Sequence, residues 1–597
     1  MKILAIYHGH NATAALLVDG KVVFCQSEER MNRLKNSTGF PAETVSYIQK
    51  TYGTDFDLVV FPQKDLAGYA YLRAQEKPAI RYQNYFKDVR PRDWRFACKY
   101  LAVTLFPRLT SSFITHKSRR YDAAVERDAW LRAERSAYFT KMTGVTEDKL
   151  RFLDHHQSHA YSLGFLLDPE KKTLIFTLDG EGDDTCATVS IWDQGALTEL
   201  SRTQKMHSIG YYYLEMTGFL GMKPNEDEFK LMGLAPYAKQ ESSRVREVRE
   251  TLESMLRIGE DGSFVSTVPP GLLRYHFFKH FSYTRFDHLA AGMQQFLEAR
   301  VLEWVRYWTT KAQIQNIGVS GGVFMNVKLN EKLMHLPGIE SVVAMPSAAD
   351  ESTVFGCLYA GYRELVGNNG GDANRKQPGL SPLTNLYLGT TLDDKELATY
   401  LSEHPELGQR YRITQPKNLT ETLADILANG GIIARASGRM EWGARGLGNR
   451  SIIADPRSTE SVRVINEMIK NRDFWMPFAP SVLEEDFSRY FKASKKDFSP
   501  YMIFGFAATA AGIKDLPAAL HTYDFSGRPQ VVRKSWNPEY HALISAFKKK
   551  TGVGGVLNTS FNLHGHPVAR TVADAFEVMD NSHLPHLVIG SYLISRT

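Results

Sequence analysis

Cysteine is scarce in this chain: four in 597 residues, Cys25, Cys98, Cys186 and Cys357, far apart and with no CxxC pair. That excludes a disulfide framework and a cysteine-held zinc site, and it points to a reducing, cytoplasmic setting. Long apolar runs are missing too. No stretch approaches the roughly 18 to 20 apolar residues that cross a bilayer. The start, Met1-Lys-Ile-Leu-Ala-Ile-Tyr-His-Gly-His10, holds too short an apolar run for a signal-peptide core. A soluble intracellular protein with no membrane partner is expected. One-sided charge is also slight, with 72 Lys plus Arg against 66 Asp plus Glu, a net +6. Residues 65–150 hold 17 Lys plus Arg against 10 Asp plus Glu, so this segment alone carries the excess. A basic charge confined to one segment argues against nucleic-acid binding by the whole protein.

What is present reads as a folded α/β chain of two large domains. Ile3–Tyr7, Thr13–Val18 and Lys21–Phe24 read as short strands, the last two joined by Asp19-Gly20, a two-residue hairpin signal. A βββ start with a Gly-His-Asn turn is the opening of actin-like lobes, an analogy of fold alone. Residues 366–382, full of Gly, Asn and Pro, read as a linker between domain 1–365 and domain 383–597. The segment from about 65 to 150, rich in Arg, Tyr and Trp, reads as a helical basic insertion into the first domain.

Three groups of residues carry chemistry. His155 and His159 stand four apart at a helix start, so their imidazoles share a face and can converge on one ion. Asp179 and Asp350, at loop ends, are candidate carboxylate ligands. Such a set suits Fe(II), with zinc or another divalent ion as the alternative, or the histidines are simply a polar helix start. Gly321-Gly322 follows a strand and leads to Asn326, a turn that lets backbone N–H groups approach a phosphate or an acyl-adenylate, or just a tight turn. Arg439, Arg445, Lys470 and Arg472, in a stretch broken by glycines, suit a polyphosphate or acyl phosphate. Asn558-Thr559-Ser560 could bind a planar amide or a ribose through neutral hydrogen bonds.

The order of these motifs resembles the O-carbamoyltransferase family, that of the nodulation-factor, cephamycin and tobramycin enzymes. The carriers are Gly9-His10-Asn11-Ala12, Glu28-Glu29-Arg30 with Arg33 and Lys35, Gly39-Phe40-Pro41, His155-His156-Gln-Ser-His159, Lys230-Leu-Met-Gly-Leu-Ala-Pro-Tyr237 and Ser320-Gly-Gly-Val323. Gly438-Arg-Met-Glu-Trp-Gly-Ala-Arg-Gly-Leu-Gly-Asn-Arg-Ser451, Lys470-Asn-Arg472, Pro477-Phe-Ala-Pro480, Arg528 and Asn558-Thr-Ser-Phe-Asn562 continue the match. Residues 65–150 have no counterpart. Ala444, Met476 and His566 depart from the family pattern, and Met476 removes one candidate phosphate contact.

The resemblance implies an actin-like N-terminal domain, akin to the metal-dependent enzyme that makes threonylcarbamoyl-adenosine in tRNA, and a YrdC-like C-terminal domain. The latter would make carbamoyl-adenylate from carbamoyl phosphate and ATP with Mg2+. Arg439, Arg445, Lys470, Arg472 and Arg528 would hold phosphates there, and Asn558, Thr559 and Ser560 the neutral carbamoyl or nucleotide edge. The N-terminal domain would pass the carbamoyl group to a hydroxyl of a small natural product, an antibiotic or toxin. His10 would act as base, Lys35 and Lys230 would neutralise phosphate, and the metal of His155, His159, Asp179 and Asp350 would be the Lewis acid. Gly321, Gly322 and Asn326 would cradle the adenylate. Two other readings stay open: carbamoylation or threonylcarbamoylation of a macromolecule such as tRNA, and an actin-like ATPase or sugar kinase. A homodimer is left open as well.

Overall fold

β1 (Lys2–Tyr7), β2 (Thr13–Val18) and β3 (Lys21–Ser27) form where the apolar runs predict them. Asp19 (φ 46°) and Gly20 (φ 78°) are both left-handed, the turn that an Asp-Gly pair favours. The computed structural model describes residues 1–75, 94–368, 379–470, 472–493 and 500–597. Residues 369–378 of the expected linker and residues 76–93 of the expected insertion lie outside them.

The chain divides into two units. Met1–Lys21 and Thr38–Ser381 make the first, and Val22–Ser37 joins Pro382–Thr597 in the second. Residues just past β2 therefore belong with the C-terminal part of the chain. Cys25 N–H donates to the Leu388 carbonyl, and Arg33 reaches the carbonyls of Pro567 and Val568 and the carboxylate of Asp574.

The first unit is mixed α/β and uses one strand order twice. β1 pairs antiparallel with β2 and parallel with β4 (Leu58–Phe61), which pairs parallel with β5 (Leu150–Phe152). In the second sheet β6 (Thr173–Gly182) pairs antiparallel with β7 (Thr185–Asp193) and parallel with Asn316–Ser320, which pairs parallel with Ser341–Ala344. β8 (Ala196–Gln204) extends that sheet beyond β7. The helix Thr353–Asn368 packs on β1, β2 and β4 and also on the helix His155–Ser162. Gly356 makes that last contact: a Cβ there would stand 1.8 Å from the Ser158 carbonyl oxygen. Between β4 and β5 the described residues form the helices Leu66–Gln75, Trp94–Leu105, Pro107–Glu126 and Ala129–Thr143.

The second unit is built on an eight-stranded sheet in the order Tyr411–Thr414, Tyr592–Arg596, His586–Ile589, Ile433–Ala436, Arg450–Ala454, Gly555–Ser560, Ala479–Leu483 and Gln530–Val532. Leu397, Leu407, Phe576, Leu587 and Ile594 belong to a buried core that covers it. Among the described residues no helix is long and apolar enough to cross a membrane.

Candidate metal centre and anion recess

Asp154 starts the helix His155–Ser162 by accepting the Gln157 N–H at 2.9 Å, a side-chain cap that fixes where the first turn begins. His155 and His159 follow on one face, both buried. Asp179 sits where the β6–β7 register shifts between Leu178 and Gly182, which turns its side chain out of the ladder. Asp350 begins the short turn Asp350–Ser352 that leads into Thr353–Asn368.

The four side chains converge. His159 Nε2 lies 3.1 Å from Asp179 Oδ2 and 3.5 Å from Asp350 Oδ1; His155 Nε2 lies 3.7 Å and 3.5 Å from the same oxygens. The two Nε2 atoms are 3.2 Å apart, and all four candidate ligand atoms fall within 4.8 Å of one another. An ion with ligands at about 2.0–2.2 Å places neighbouring ligand atoms roughly 3–3.6 Å apart, so the spacing fits one cation. Ser320 Oγ, 3.3 Å from His159 Nδ1, holds that ring with Nε2 inward. Burial alone would lower the pKa of His155, but the carboxylates of Asp350 and Asp179 outweigh it and push it well up. Burial likewise opposes the charge on Asp350, and the imidazoles overcome it and hold the carboxyl well down. Two carboxylates, buried Asp350 and half-buried Asp179, facing two buried imidazoles call for positive charge between them, which a divalent ion supplies.

His10, half-exposed on the β1–β2 turn, lies 3.6 Å from Asp350 Oδ2 through Nδ1. Two neighbours escaped the sequence reading. Tyr7, buried at the end of β1, donates its hydroxyl to Asp350 Oδ2 and lies 3.3 Å from His10 Nδ1. It links the histidine to the ligand, and its place one turn before His10 was the only sequence cue. Glu228 has its pKa pushed up to about 7 by burial, against backbone donors and the pull of His10. Its neighbour Lys230 pairs with Asp227 at 3.2 Å.

The glycine turn is closer to a structural element than expected. Gly321 is left-handed (φ 108°), and a Cβ there would stand 2.4 Å from the Leu178 carbonyl oxygen. Its N–H donates to Ala348 O, so it does not face a phosphate. A Cβ on Gly322 would meet Asp179 Oδ1 at 2.9 Å, so this glycine makes room for the ligand carboxylate. Asn326 too has partners within the fold. Its Oδ1 accepts from Leu329 N and Gln294 Nε2, and its Nδ2 donates to Gln294 Oε1, so the side chain caps the helix Val327–Met334.

In the second unit the arginine run divides. Arg439 is corrected: its Nε and Nη2 donate to the carbonyls of Gly389, Val23 and Leu388. Arg445, Arg472 and Arg528 form a different group. Each keeps some solvent contact, yet burial is the first cause that lowers Arg472 to about 10 and Arg528 well below the guanidinium range, followed by repulsion from the neighbouring arginines. That combination describes cations lining a recess. Arg472 Nη2 donates to Thr559 Oγ1 at 3.2 Å. Lys470, buried, donates to the Ser560 carbonyl at 2.6 Å and to Asn562 Oδ1 at 2.7 Å, and burial, then Arg472 and Lys35, hold it well down. Lys35 pairs with Glu29 at 2.9 Å. Asn558 donates through Nδ2 to Gly446 O, Ser481 Oγ and Gln530 Oε1. Ser560 Oγ donates to Asn562 Oδ1.

Comparison with known proteins places these features in a family. Residues 2–358 match the family description "Carbamoyltransferase N-terminus" and residues 424–596 match "Carbamoyltransferase C-terminus". The nodulation protein NolNO of Sinorhizobium fredii is 30% identical over 98% of this chain and 79% of its own length. The 3'-hydroxymethylcephem-O-carbamoyltransferase of Amycolatopsis lactamdurans is 30% identical over 47% of this chain and 48% of its own. A solved activator of 2-hydroxyisocaproyl-CoA dehydratase from Clostridium difficile aligns with 62% of this chain and 97% of its own at 12% identity and a TM-score of 0.33, too low to carry an argument. Matched in both its halves, the chain belongs to the carbamoyltransferase family and is a carbamoyltransferase.

Proposed function

We propose that this carbamoyltransferase makes carbamoyl-adenylate in its second unit: water cleaves carbamoyl phosphate to carbamate and phosphate, and the carbamate oxygen attacks the α-phosphate of ATP and displaces pyrophosphate. The first unit then passes the carbamoyl group to a hydroxyl of a small natural product, releasing AMP. The observation that carries the reading is the pairing, in one chain, of two sites of opposite character: a recess where Arg445, Arg472 and Arg528 crowd and repel one another and a two-His, two-Asp cluster beside His10. The first suits an anionic acyl phosphate, whose oxygens take guanidinium donors in pairs. The second suits a divalent cation, iron or zinc, next to an imidazole. When bound, that ion supplies a Lewis acid for the carbamoyl carbonyl.

This chain's own residues do the remaining work. His10 takes the hydroxyl proton, and Tyr7 and Asp350 hold its Nδ1 side so that Nε2 is the basic atom. The repeated strand order in the first unit supports an actin-like reading of residues 1–365 with the insertion between β4 and β5, and residues 383–597 are read as YrdC-like. The test is product analysis by mass spectrometry after incubating the full chain with carbamoyl phosphate, ATP, Mg2+ and a panel of hydroxylated natural products. Pyrophosphate release that needs carbamoyl phosphate, and an acceptor heavier by one carbamoyl group, are expected. ATP hydrolysis indifferent to carbamoyl phosphate would instead mark an ATPase or kinase. His10→Asn should keep pyrophosphate release and lose transfer; wild-type transfer by that variant would remove His10 as the base.

A further inference from the structure

Asp183 occupies the turn between β6 and β7, four residues after the candidate ligand Asp179. Its backbone is left-handed (φ 50°), as is that of Asp184 (φ 59°), in a turn where glycine or asparagine would be the easier choice. A non-glycine residue persists in such a conformation when its surroundings over-determine it. Here the side chain shows what they are. The Asp183 carboxylate accepts three backbone N–H groups from two separate segments: His155 at 2.8 Å, Lys64 at 3.0 Å and Asp65 at 2.9 Å. His155 is the first residue of the ligand helix, and its N–H is one that the Asp154 cap leaves open. Lys64 and Asp65 are the root of the insertion.

That root is gripped from the other side as well. Glu126 accepts from Leu66 N and Ala67 N, and Arg135 Nη1 donates to the Lys64 carbonyl at 2.8 Å. Asp65 is itself buried against Asp183. Burial first, then the neighbouring carboxylate and their hydrogen bond, push it up to about 8, so at neutral pH it is protonated and donates to Asp183. One carboxylate thus joins the start of the metal helix to the start of the insertion.

We propose that Asp183 is a positioning residue for the metal centre, fixing the first turn of the ligand helix to the root of the insertion so that the placement of His155 depends on both. The inference rests on the metal reading above and adds a residue to it. The test is Co(II) binding to the full chain, read by affinity and by the ligand-field absorption spectrum, which reports ligand geometry independently of catalysis. Asp183→Asn should weaken Co(II) binding about 10- to 100-fold, the range for losing a group that orients a metal ligand, and change the spectrum. Asp65→Asn, which keeps a donor toward Asp183, should stay within about twofold of the wild type by the same measure. Wild-type affinity and spectrum in Asp183→Asn would overturn the proposal. Should that variant not fold, Asp183→Glu decides: it keeps the charge but moves the carboxylate off the three N–H donors of His155, Lys64 and Asp65, and an unchanged affinity and spectrum would overturn the proposal equally. Failure of the wild type to bind Co(II) would bring down the metal reading and this inference together, whereas wild-type binding that is indifferent to substitution of Asp183 would bring down this inference alone.

Discussion

Arginines crowded against one another raise the free energy of the empty protein and lower that of the liganded one. Arg528 shows it best: its pKa is driven down by burial and by Arg445 and Arg472, and it makes no hydrogen bond or ion pair among the described residues. Arg528→Gln should therefore melt at a higher temperature than the wild type when both are ligand-free, because a like charge has been removed. The same variant should need about 10 to 100 times more carbamoyl phosphate for half-maximal pyrophosphate release, the worth of one charge-assisted bond at roughly 1.5–3 kcal/mol. Differential scanning fluorimetry and pyrophosphate kinetics check the two halves. Glu228 carries a pH dependence. Its folded pKa, raised to about 7, lies above the ordinary carboxylate value, so the folded state holds a proton that the unfolded state has released. Its contribution to stability is present below pH 4.5 and is lost as pH rises through about 7. Metal-free wild type should lose melting temperature between pH 5 and pH 8 faster than Glu228→Gln, and equal slopes would place the titration elsewhere.

Helices and strands show why some of the site was legible in the sequence. His155 and His159 could be paired from their spacing, because four residues on a helix bring side chains to one face whatever the tertiary fold. Asp179 and Asp350 could be named only as candidates, since their meeting with the histidines depends on two loops that no local rule controls. Tyr7 was missed for a related reason. It ends an apolar strand, and only the approach of the Asp350 turn from more than three hundred residues away gives its hydroxyl a partner. Arg439 and Asn326 run in the opposite direction: read as ligand contacts from their type and setting, they satisfy carbonyls and a helix end within the fold. Helix contact also supplies a prediction. Gly356→Ala puts a methyl group where the Ser158 carbonyl stands, and neither backbone can yield cheaply. Overpacking of this kind costs about 1–3 kcal/mol, so the variant should melt earlier, and, because Ser158 lies between the two histidines, it should bind Co(II) more weakly. A variant with lower stability and wild-type metal affinity would show that the ligand helix moves as a rigid piece.

The basic excess of residues 65–150 belongs to the whole molecule rather than to any motif. The helix Pro107–Glu126, part of the first unit, presents Arg108, Lys117 and Arg120 to solvent. Changing these three to Gln should leave carbamoyl-phosphate-dependent pyrophosphate release within about twofold, since exposed charges screened by salt contribute little. Any effect should fall on the acceptor's KM, measured in the transfer assay at low and high salt. A loss of pyrophosphate release would tie the segment to the adenylate-forming chemistry instead.

Residues 22–37 have a consequence for how the chain is made. Their partners include Gly443, Pro567, Val568 and Asp574, the last of these 541 residues further along than Arg33. At about 5–20 residues per second, a ribosome needs on the order of half a minute to two minutes to deliver them. For that time residues 28–37, with the first basic motif, wait outside the tunnel without these partners, while the chain of the first unit, which ends at Ser381, is already made. The last step of folding is then the return of an early segment to a late one. Buried Glu29 and Arg30 keep that waiting segment charged, and so disinclined to associate with other nascent chains.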